Sequence, residues 1–412
     1  MLSALRRAMR RLFAPAFETP SLASPRLATA GLAVLGLLAV AGCAQLPGAP
    51  GATSAGAGPA ASWSVPSGPG PAFIPVSYKQ LPGWNADHLS DAIPAFLAGC
   101  AVLDANPGAP LGGEGEAAAL GGTARQWHAA CDLARAVPPG DDIAARHFFE
   151  IAFQAYGVST DGSATGLFTG YYEPEVAGSR VRTSVYKYPI YRRPPDLVGD
   201  GRTPYLTRVQ IDRGALAHRH LELLWLADPV DVFFLQVQGA GRVRLRDGHV
   251  VRVTYDGKNG QPYVPIGRVL VDRGEMTMDE VSMQSIRAWL AAHPAQVTEL
   301  LEQNPSFVFF REVHDATADA GAPGSLGAPL SPDRSLAVDK SFIPLGAPLW
   351  VDTKDTLDGT KLQRLMVAQD LGGAIRGPVR ADIFFGWGPD AEAHAGKMRG
   401  QGMEFLLLPK GA

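Results

Sequence analysis

Two aspartates near the C-terminal end, Asp370 and Asp382, flank a glycine-rich loop. Leu365 to Ala368 reads as a short buried strand, and Asp370 stands where it ends. Gly372, Gly373 and Gly377, with Pro378, then make a loop whose backbone a ligand can approach closely. Ala381 to Phe385 reads as a second strand. It carries Asp382 among Ile383, Phe384, Phe385 and Trp387. A carboxyl in apolar surroundings loses hydration and holds its proton more tightly, which is how a carboxylic acid stays protonated near neutral pH and acts as a general acid. The competing reading is an Asp at a strand start that bonds backbone amides. Asp370 could orient Asp382, raise its pKa as a like charge, bond a substrate hydroxyl, or satisfy its own loop. Asp339 opens Asp339-Lys-Ser and reads as a turn-pinning residue.

Other polar and aromatic positions could line a groove beside these carboxyls. Tyr171 and Tyr172 offer flat faces, and strand alternation sends one of them to the core. Gln236 lies in the apolar run Val230–Val237 and Gln238 directly follows it. Read as a strand, that run puts both amides on one face. Lys258 and Asn259 occupy a Gly-rich turn that could reach a ligand or simply close a hairpin. Gly239-Ala-Gly241 and Gly372-Gly373 lack the strand–loop–helix context of phosphate loops. No His or Cys cluster has metal-ligand spacing. Neither metal nor cofactor is expected.

Several motifs together are specific: Thr169-Gly-Tyr-Tyr-Glu-Pro174, Gln236-Val-Gln-Gly-Ala-Gly241, Tyr255-Asp-Gly-Lys-Asn-Gly260, Ile266 to Gly274, Asn304 to Phe310, Val338 to Gly346 and Met366 to Gly388. In this order the chain resembles the membrane-bound lytic murein transglycosylase A family. The resemblance implies that Asp382 occupies the catalytic-acid position, supported by Asp370 and Asp339. It also implies a glycan-binding groove, to which Thr169, Tyr171, Tyr172, Gln236, Gln238, Lys258, Asn259, Gly372 and Gly373 are assigned. Ordinary glycoside hydrolysis needs two carboxyls. Lytic transglycosylation needs one, because the sugar's own C6 hydroxyl attacks C1 and leaves a 1,6-anhydro end. A lysozyme-type hydrolase using Asp370 with Asp382, and a non-catalytic glycan-binding lipoprotein, are the competing functions.

The elements that must position these residues are mainly β. The resemblance implies a double-psi β-barrel built from residues 76–174 and 312–412, with helices at its N-terminal side. A smaller β-barrel domain, residues 175–311, is inserted into it, with the groove between. Helical spacing marks Asp87 to Leu103, Thr123 to Ala136 and a segment from Asp141 or Asp142 to Ala155. Short strands are expected at Leu167–Tyr172, Tyr188–Tyr191, Val230–Val237, Val250–Tyr255, Tyr263–Val264, Phe307–Phe310, Ala347–Val351, Gln363–Ala368, Ala381–Phe385 and Glu404–Leu408. Helices are expected at Met278–Ala292 and Ala295–Gln303, and a loop at 316–332.

The chain has 412 residues and a net charge of −3, with no basic tract for nucleic acid. Residues 1–42 read as a lipoprotein signal peptide: Arg6, Arg7, Arg10 and Arg11 precede an apolar run from Leu27 to Val40 that is too short to span a bilayer. Val40-Ala-Gly-Cys43 resembles a lipobox, so Cys43 becomes the acylated residue. Ala44 after it favours the periplasmic face of a Gram-negative outer membrane. Residues 43–75, rich in Gly, Ala, Pro and Ser, read as a flexible linker. Cys100 and Cys131 remain for a disulfide in an oxidising compartment. Residues 176–275 carry 16 Lys or Arg against 10 Asp or Glu, which reads either as a basic wall suited to a substrate with carboxylates or as scattered solvated charge. The expected partners are peptidoglycan glycan strands, the membrane through Cys43, and the wall-synthesis or hydrolysis machinery.

Overall fold

The computed structural model describes residues 62–106, 120–121, 124–198, 203–314 and 320–410. The signal peptide, Cys43 and most of the linker lie outside the described residues. In chain order the longer elements are β1 (Pro71–Val76), α1 (Ile93–Ala105), α2 (Ala124–Arg135), α3 (Asp142–Ala152), β2 (Phe153–Thr160), β3 (Gly166–Glu173), β4 (Glu175–Ser179), β5 (Tyr188–Tyr191), β6 (Glu222–Leu226), α4 (Pro229–Gln238), β7 (Ala240–Arg244), β8 (Val250–Lys258), α5 (Ile266–Asp272), α6 (Met283–Ala292), β9 (Val308–Glu312), β10 (Ser335–Val338), β11 (Pro348–Lys354), β12 (Lys361–Leu371), β13 (Arg380–Trp387), α7 (Pro389–Lys397) and β14 (Arg399–Pro409), with shorter helical pieces that include Arg208–Gln210 and Val297–Leu301.

Six strands close on themselves. The hydrogen-bonded order is β14-β11-β12-β10-β13-β3, and β3 pairs back with β14. Closure removes the free edges a sheet would otherwise expose. β2 extends the sheet beyond β14, and β1 adds to β2. The expected linker therefore ends earlier than residue 75. Phe73 and Ile74 pair opposite Val158 and Gly157. Trp63 is already core, and a Cβ at Gly157 would lie 2.4 Å from its ring. Apolar side chains in this stretch gain more by packing than the Gly- and Pro-rich composition loses in entropy.

The N-terminal helices pack against this barrel. Asp141 caps α3 by accepting from the Ile143 and Ala144 amides. Cys100 in α1 and Cys131 in α2 are joined as a disulfide, with Cα atoms 5.8 Å apart. Arg334 forms a two-pronged pair with Asp87, at 2.8 and 3.0 Å, and Asp87 also accepts from the Leu365 amide at 2.9 Å. Both partners are buried. Removing one would strand a charge, at a cost of about 3–5 kcal/mol.

The insert is a second sheet, ordered β5-β6-β4-β7-β8-β9. β5 and β9, the two ends of this order, approach each other without a hydrogen-bonded ladder among the described residues. A helix takes the place of one expected strand. Val230–Val237 lies in α4, which starts on the Asp228 cap and Pro229 and stops at Gly239 with φ 80°. Val232 and Leu235 pack on the sheet, while Val230, Phe233 and Phe234 pack against Ile266, Met283 and Trp289. A short helix buried on both sides reads as a continuous apolar run, and periodicity alone does not separate it from a strand. Tyr263–Val264 belongs to no regular element, and residues 320–334 fold back onto the barrel, where the Leu326 amide donates to the Gln369 carbonyl at 3.0 Å.

Glu173, at the end of β3, fastens insert to barrel. It is buried and accepts from Arg242 at 2.8 Å and Arg252 at 3.2 Å, and it also takes the Ala322 amide.

Candidate active site

The barrel register brings several side chains into one row. Asp382 pairs opposite Ala337 in β10. Ala337 pairs on its other side with Asp370 in β12. Asp382 also pairs with Thr169 in β3. Paired residues share a sheet face. Asp370, Ala337 and Asp382 line a groove of about 910 Å³ between barrel and insert.

Asp382 is 21% exposed. Burial among protein atoms raises its pKa, the Arg380 guanidinium pulls it back, and the Asp370 charge raises it further. Arg380 sits two residues earlier on the same strand, hence on the same face. It donates to Asp382 Oδ1 at 3.1 Å, to the Ala381 carbonyl at 2.7 Å and to Thr169 Oγ1 at 2.8 Å. Thr169 therefore holds the arginine and is not among the residues lining the groove.

Asp370 is also pushed up by burial, opposed by hydrogen bonds. Its Oδ1 accepts from the Ser325 amide at 2.9 Å and the Ser325 hydroxyl at 2.7 Å. Asp339 directs both oxygens to backbone amides. Ser341 and Gly377 each donate at 3.0 Å. Gly377 has φ 102°, which L side chains rarely adopt. Asp339 thus ties the start of the turn after β10 to the end of the glycine loop. Gly372 and Gly373 line the groove, and a Cβ on Gly372 would lie 2.4 Å from Ile375.

The two tyrosines part as alternation requires. Tyr171 packs its ring on Phe384, 5.2 Å between centroids, and its buried hydroxyl lies near Asp370 without a hydrogen bond of ordinary geometry among the described residues. Burial, then the Asp370 and Asp382 charges, raise its pKa. Tyr172 is 2% exposed and packs its ring between α4 and α6 at the edge of the groove.

The amide pair differs from expectation. Gln236 and Gln238 lie in α4, where residues two apart do not share a face. Gln236 is buried and accepts from Arg208 at 2.6 Å, whereas Gln238 accepts from the Tyr172 amide at 3.1 Å. Asn259 is fully buried. It donates to the Leu206 and Pro305 carbonyls, both at 2.8 Å, and accepts from the Phe307 amide at 2.8 Å. Asn259 thus locks its turn and leaves the groove to its neighbour Lys258.

Four features were not anticipated. Arg380 was readable in principle from its spacing of two to Asp382 on a strand. Ser325 comes from the Gly- and Pro-rich segment expected to be a plain loop. Tyr255 and Tyr263, 44% and 45% exposed, line the insert side of the groove. Glu404, in β14, is 1% exposed, and neither carboxyl oxygen has a hydrogen-bond partner among the described residues. Burial pushes its pKa up to about 8 despite Arg380 nearby. Among the described residues no group of His, Cys, Asp or Glu is placed to hold a metal.

Known proteins share this architecture. Residues 167–311 match the model of the MltA specific insert domain, and residues 334–408 match the 3D domain. The membrane-bound lytic murein transglycosylase A of Escherichia coli strain K12 is 40% identical over 275 residues, which cover 65% of this chain and 72% of that protein. A membrane-bound lytic murein transglycosylase of Agrobacterium tumefaciens superposes with a TM-score of 0.72 at 36% identity, covering 82% of this chain and 98% of that one. The E. coli protein MltA with bound chitohexaose is also similar, with a TM-score of 0.59 at 36% identity over 69% of this chain and 85% of that chain.

Proposed function

The chain belongs to the membrane-bound lytic murein transglycosylase A family, and on that premise we propose that Asp382 makes both proton transfers of its reaction. The activity is lytic transglycosylation of murein. A protonated Asp382 donates to the oxygen of the β-1,4 bond between N-acetylmuramoyl and N-acetylglucosaminyl residues. The C1–O bond breaks, the N-acetylglucosaminyl side leaves with a hydroxyl, and positive charge builds at C1. The muramoyl C6 hydroxyl attacks C1 and gives up its proton to the Asp382 carboxylate. The products are a 1,6-anhydromuramoyl end and a regenerated acid. The attacking group is already tethered to the reacting carbon, which lowers the entropic part of the barrier.

The observation that carries this reading is the setting of Asp382. It is a groove carboxyl whose proton is held by burial, with Arg380 fixed beside it. The arginine stabilises the carboxylate that forms when the proton leaves, so acid and conjugate base are both provided for. Asp370, Asp339, the glycine loop and Lys258 form the remaining support and lining of the glycan site. The parallel β10–β12 and β13–β3 pairs inside a closed six-stranded barrel support a double-psi topology. We take the catalytic domain as running from Trp63, earlier than residue 76, to residue 174 and again over 312–412, with 175–311 as the insert.

The protein is membrane-associated. Among the described residues no helix is long and apolar enough to cross a membrane. We assign attachment to acyl chains on Cys43, facing the periplasm from a Gram-negative outer membrane, with the enzyme acting on peptidoglycan strands beside the wall-building or wall-cutting machinery. The test of activity is product analysis on purified murein. Anhydromuramoyl ends are expected. Reducing ends would instead mean a two-carboxylate hydrolase, and no cleavage would mean a binding protein.

A further inference from the structure

Arg208, on the insert side of the groove, is a buried cation without a bonded anion. The residue is 4% exposed. Its Nε donates to the Asn304 carbonyl at 2.9 Å, and its Nη2 donates to the Ser306 carbonyl at 2.7 Å and to Gln236 Oε1 at 2.6 Å. The rings of Phe233 and Phe307 lie 4.8 and 5.2 Å from its Cζ. Every one of these partners is neutral. Asp212 acts on it only at a distance, and burial pulls its pKa down to about 10, opposite to the effect of a close ion pair.

The geometry leaves two donors unused. Nη1 has no hydrogen bond to the described protein. A guanidinium can only donate, so the Gln236 amide must turn its oxygen toward Arg208, and its NH₂ points away. That Nε2 is buried and has no acceptor. Both residues line the groove, and so do Lys258 and Arg311. The acids of the lining lie elsewhere: Glu173 is held by Arg242 and Arg252, and Asp339, Asp370 and Asp382 belong to the barrel wall. A buried cation beside an unsatisfied N–H donor is costly unless a ligand supplies acceptor oxygens.

We infer that Arg208 and Gln236 form a carboxylate-binding subsite on the insert wall, which takes an acid group of the muramoyl unit while Asp382 serves the glycosidic oxygen from the barrel wall. The inference rests on the proposed reading of murein as substrate and adds a recognition element to it. A murein strand carries such acids in two places, on the lactyl ether once the peptide is removed and on the stem peptide when it is present. Chitohexaose has a β-1,4 N-acetylglucosamine backbone and no carboxylate.

The test measures equilibrium binding of the full chain in the Asp382→Asn background to three probes: peptide-bearing murein strands, peptide-free murein strands and chitohexaose. Gln236→Glu fills the subsite from within, because its own carboxylate pairs with Arg208, and it keeps the side-chain volume. Arg208→Met removes the cation, and circular dichroism reports whether it folds. The expected result is a loss of tenfold or more for the carboxylate-bearing strands, with chitohexaose binding within about twofold. Loss with the peptide-free strands assigns the lactyl acid; loss confined to the peptide-bearing strands assigns a stem-peptide acid. Unchanged binding of all three probes by Gln236→Glu, or an equal loss for chitohexaose, overturns the subsite. Turnover of murein by Asp382→Asn itself would instead overturn the proposed acid, while the binding ratios would still report on Arg208.

Discussion

Asp370 and Asp382 pair with the same residue, Ala337, from opposite sides of β10. Their Cα atoms are therefore two strand spacings apart, about 10 Å. The small side chain between them leaves open the floor of the groove. The two aspartates also differ in partners: Asp382 meets an arginine, and Asp370 meets a serine hydroxyl and amide. That asymmetry suits one acid–base residue and one fixed neighbour.

Asp382→Asn keeps the shape of the side chain but cannot exchange a proton. General acid–base assistance is worth typically 10²–10⁴-fold, and the loss should lie at or above the upper end because one group serves both halves. Asp370→Asn should lose roughly one to two decades, about 1.4–2.7 kcal/mol of barrier. Anhydromuropeptide release by the two purified variants is the measurement. An Asp370 variant that is dead beside a nearly normal Asp382 variant would show that the wrong aspartate has been named.

Arg380→Gln tests the acid's tuning. Asp382 must be protonated to act, so activity falls as pH rises through its folded pKa. Arg380 lowers that pKa. Its removal should move the alkaline limb of the pH–rate profile upward and lower the maximal rate, because the carboxylate left after proton donation loses its partner. A profile unchanged in position would mean that Arg380 serves only the fold.

Glu404 should make stability depend on pH. Its folded pKa is raised to about 8, so between the ordinary glutamate range and pH 8 the native state holds a proton that the unfolded state has released. The stabilising contribution of the neutral carboxyl is then lost as pH rises, at up to roughly 1.4 kcal/mol per pH unit. Glu404→Gln should flatten the fall in Tm between pH 5 and 8. An identical slope in the variant would rule out Glu404 as its source.

The Cys100–Cys131 bond closes a separation of 31 residues. By loop-closure entropy it should contribute roughly 3–4 kcal/mol. Reduction, or Cys100→Ala with Cys131→Ala, should lower the melting temperature and leave murein cleavage below that temperature unchanged. Two thiols titrating in oxidised, denatured protein would show that the bond does not form.

Cys43→Ala should abolish acylation in a Gram-negative host and release the protein from the membrane fraction. Normal processing with unchanged membrane association would mean that another segment provides the anchor.

Much of the site could be read from residue order, because its parts are local. The strand–glycine loop–strand from Leu365 to Phe385 holds Asp370 and Asp382 in one continuous stretch. Alternation along each strand follows from backbone geometry alone, and the family motifs come in order along the chain. What the sequence left open depended on contacts between distant segments. Gln236 does line the groove, but from helix α4 and not from a strand, and its amide turns to Arg208, 28 positions earlier. Asn259 looks like a ligand-reaching turn residue until the carbonyls of Leu206 and Pro305 close on it. Burial of Glu404, the clamp of Arg380 on Thr169, and the meeting of two aspartates at Ala337 all require barrel closure. Desolvation and hydrogen bonding depend on which atoms finally surround a group, and for these residues most of those atoms come from elsewhere in the chain.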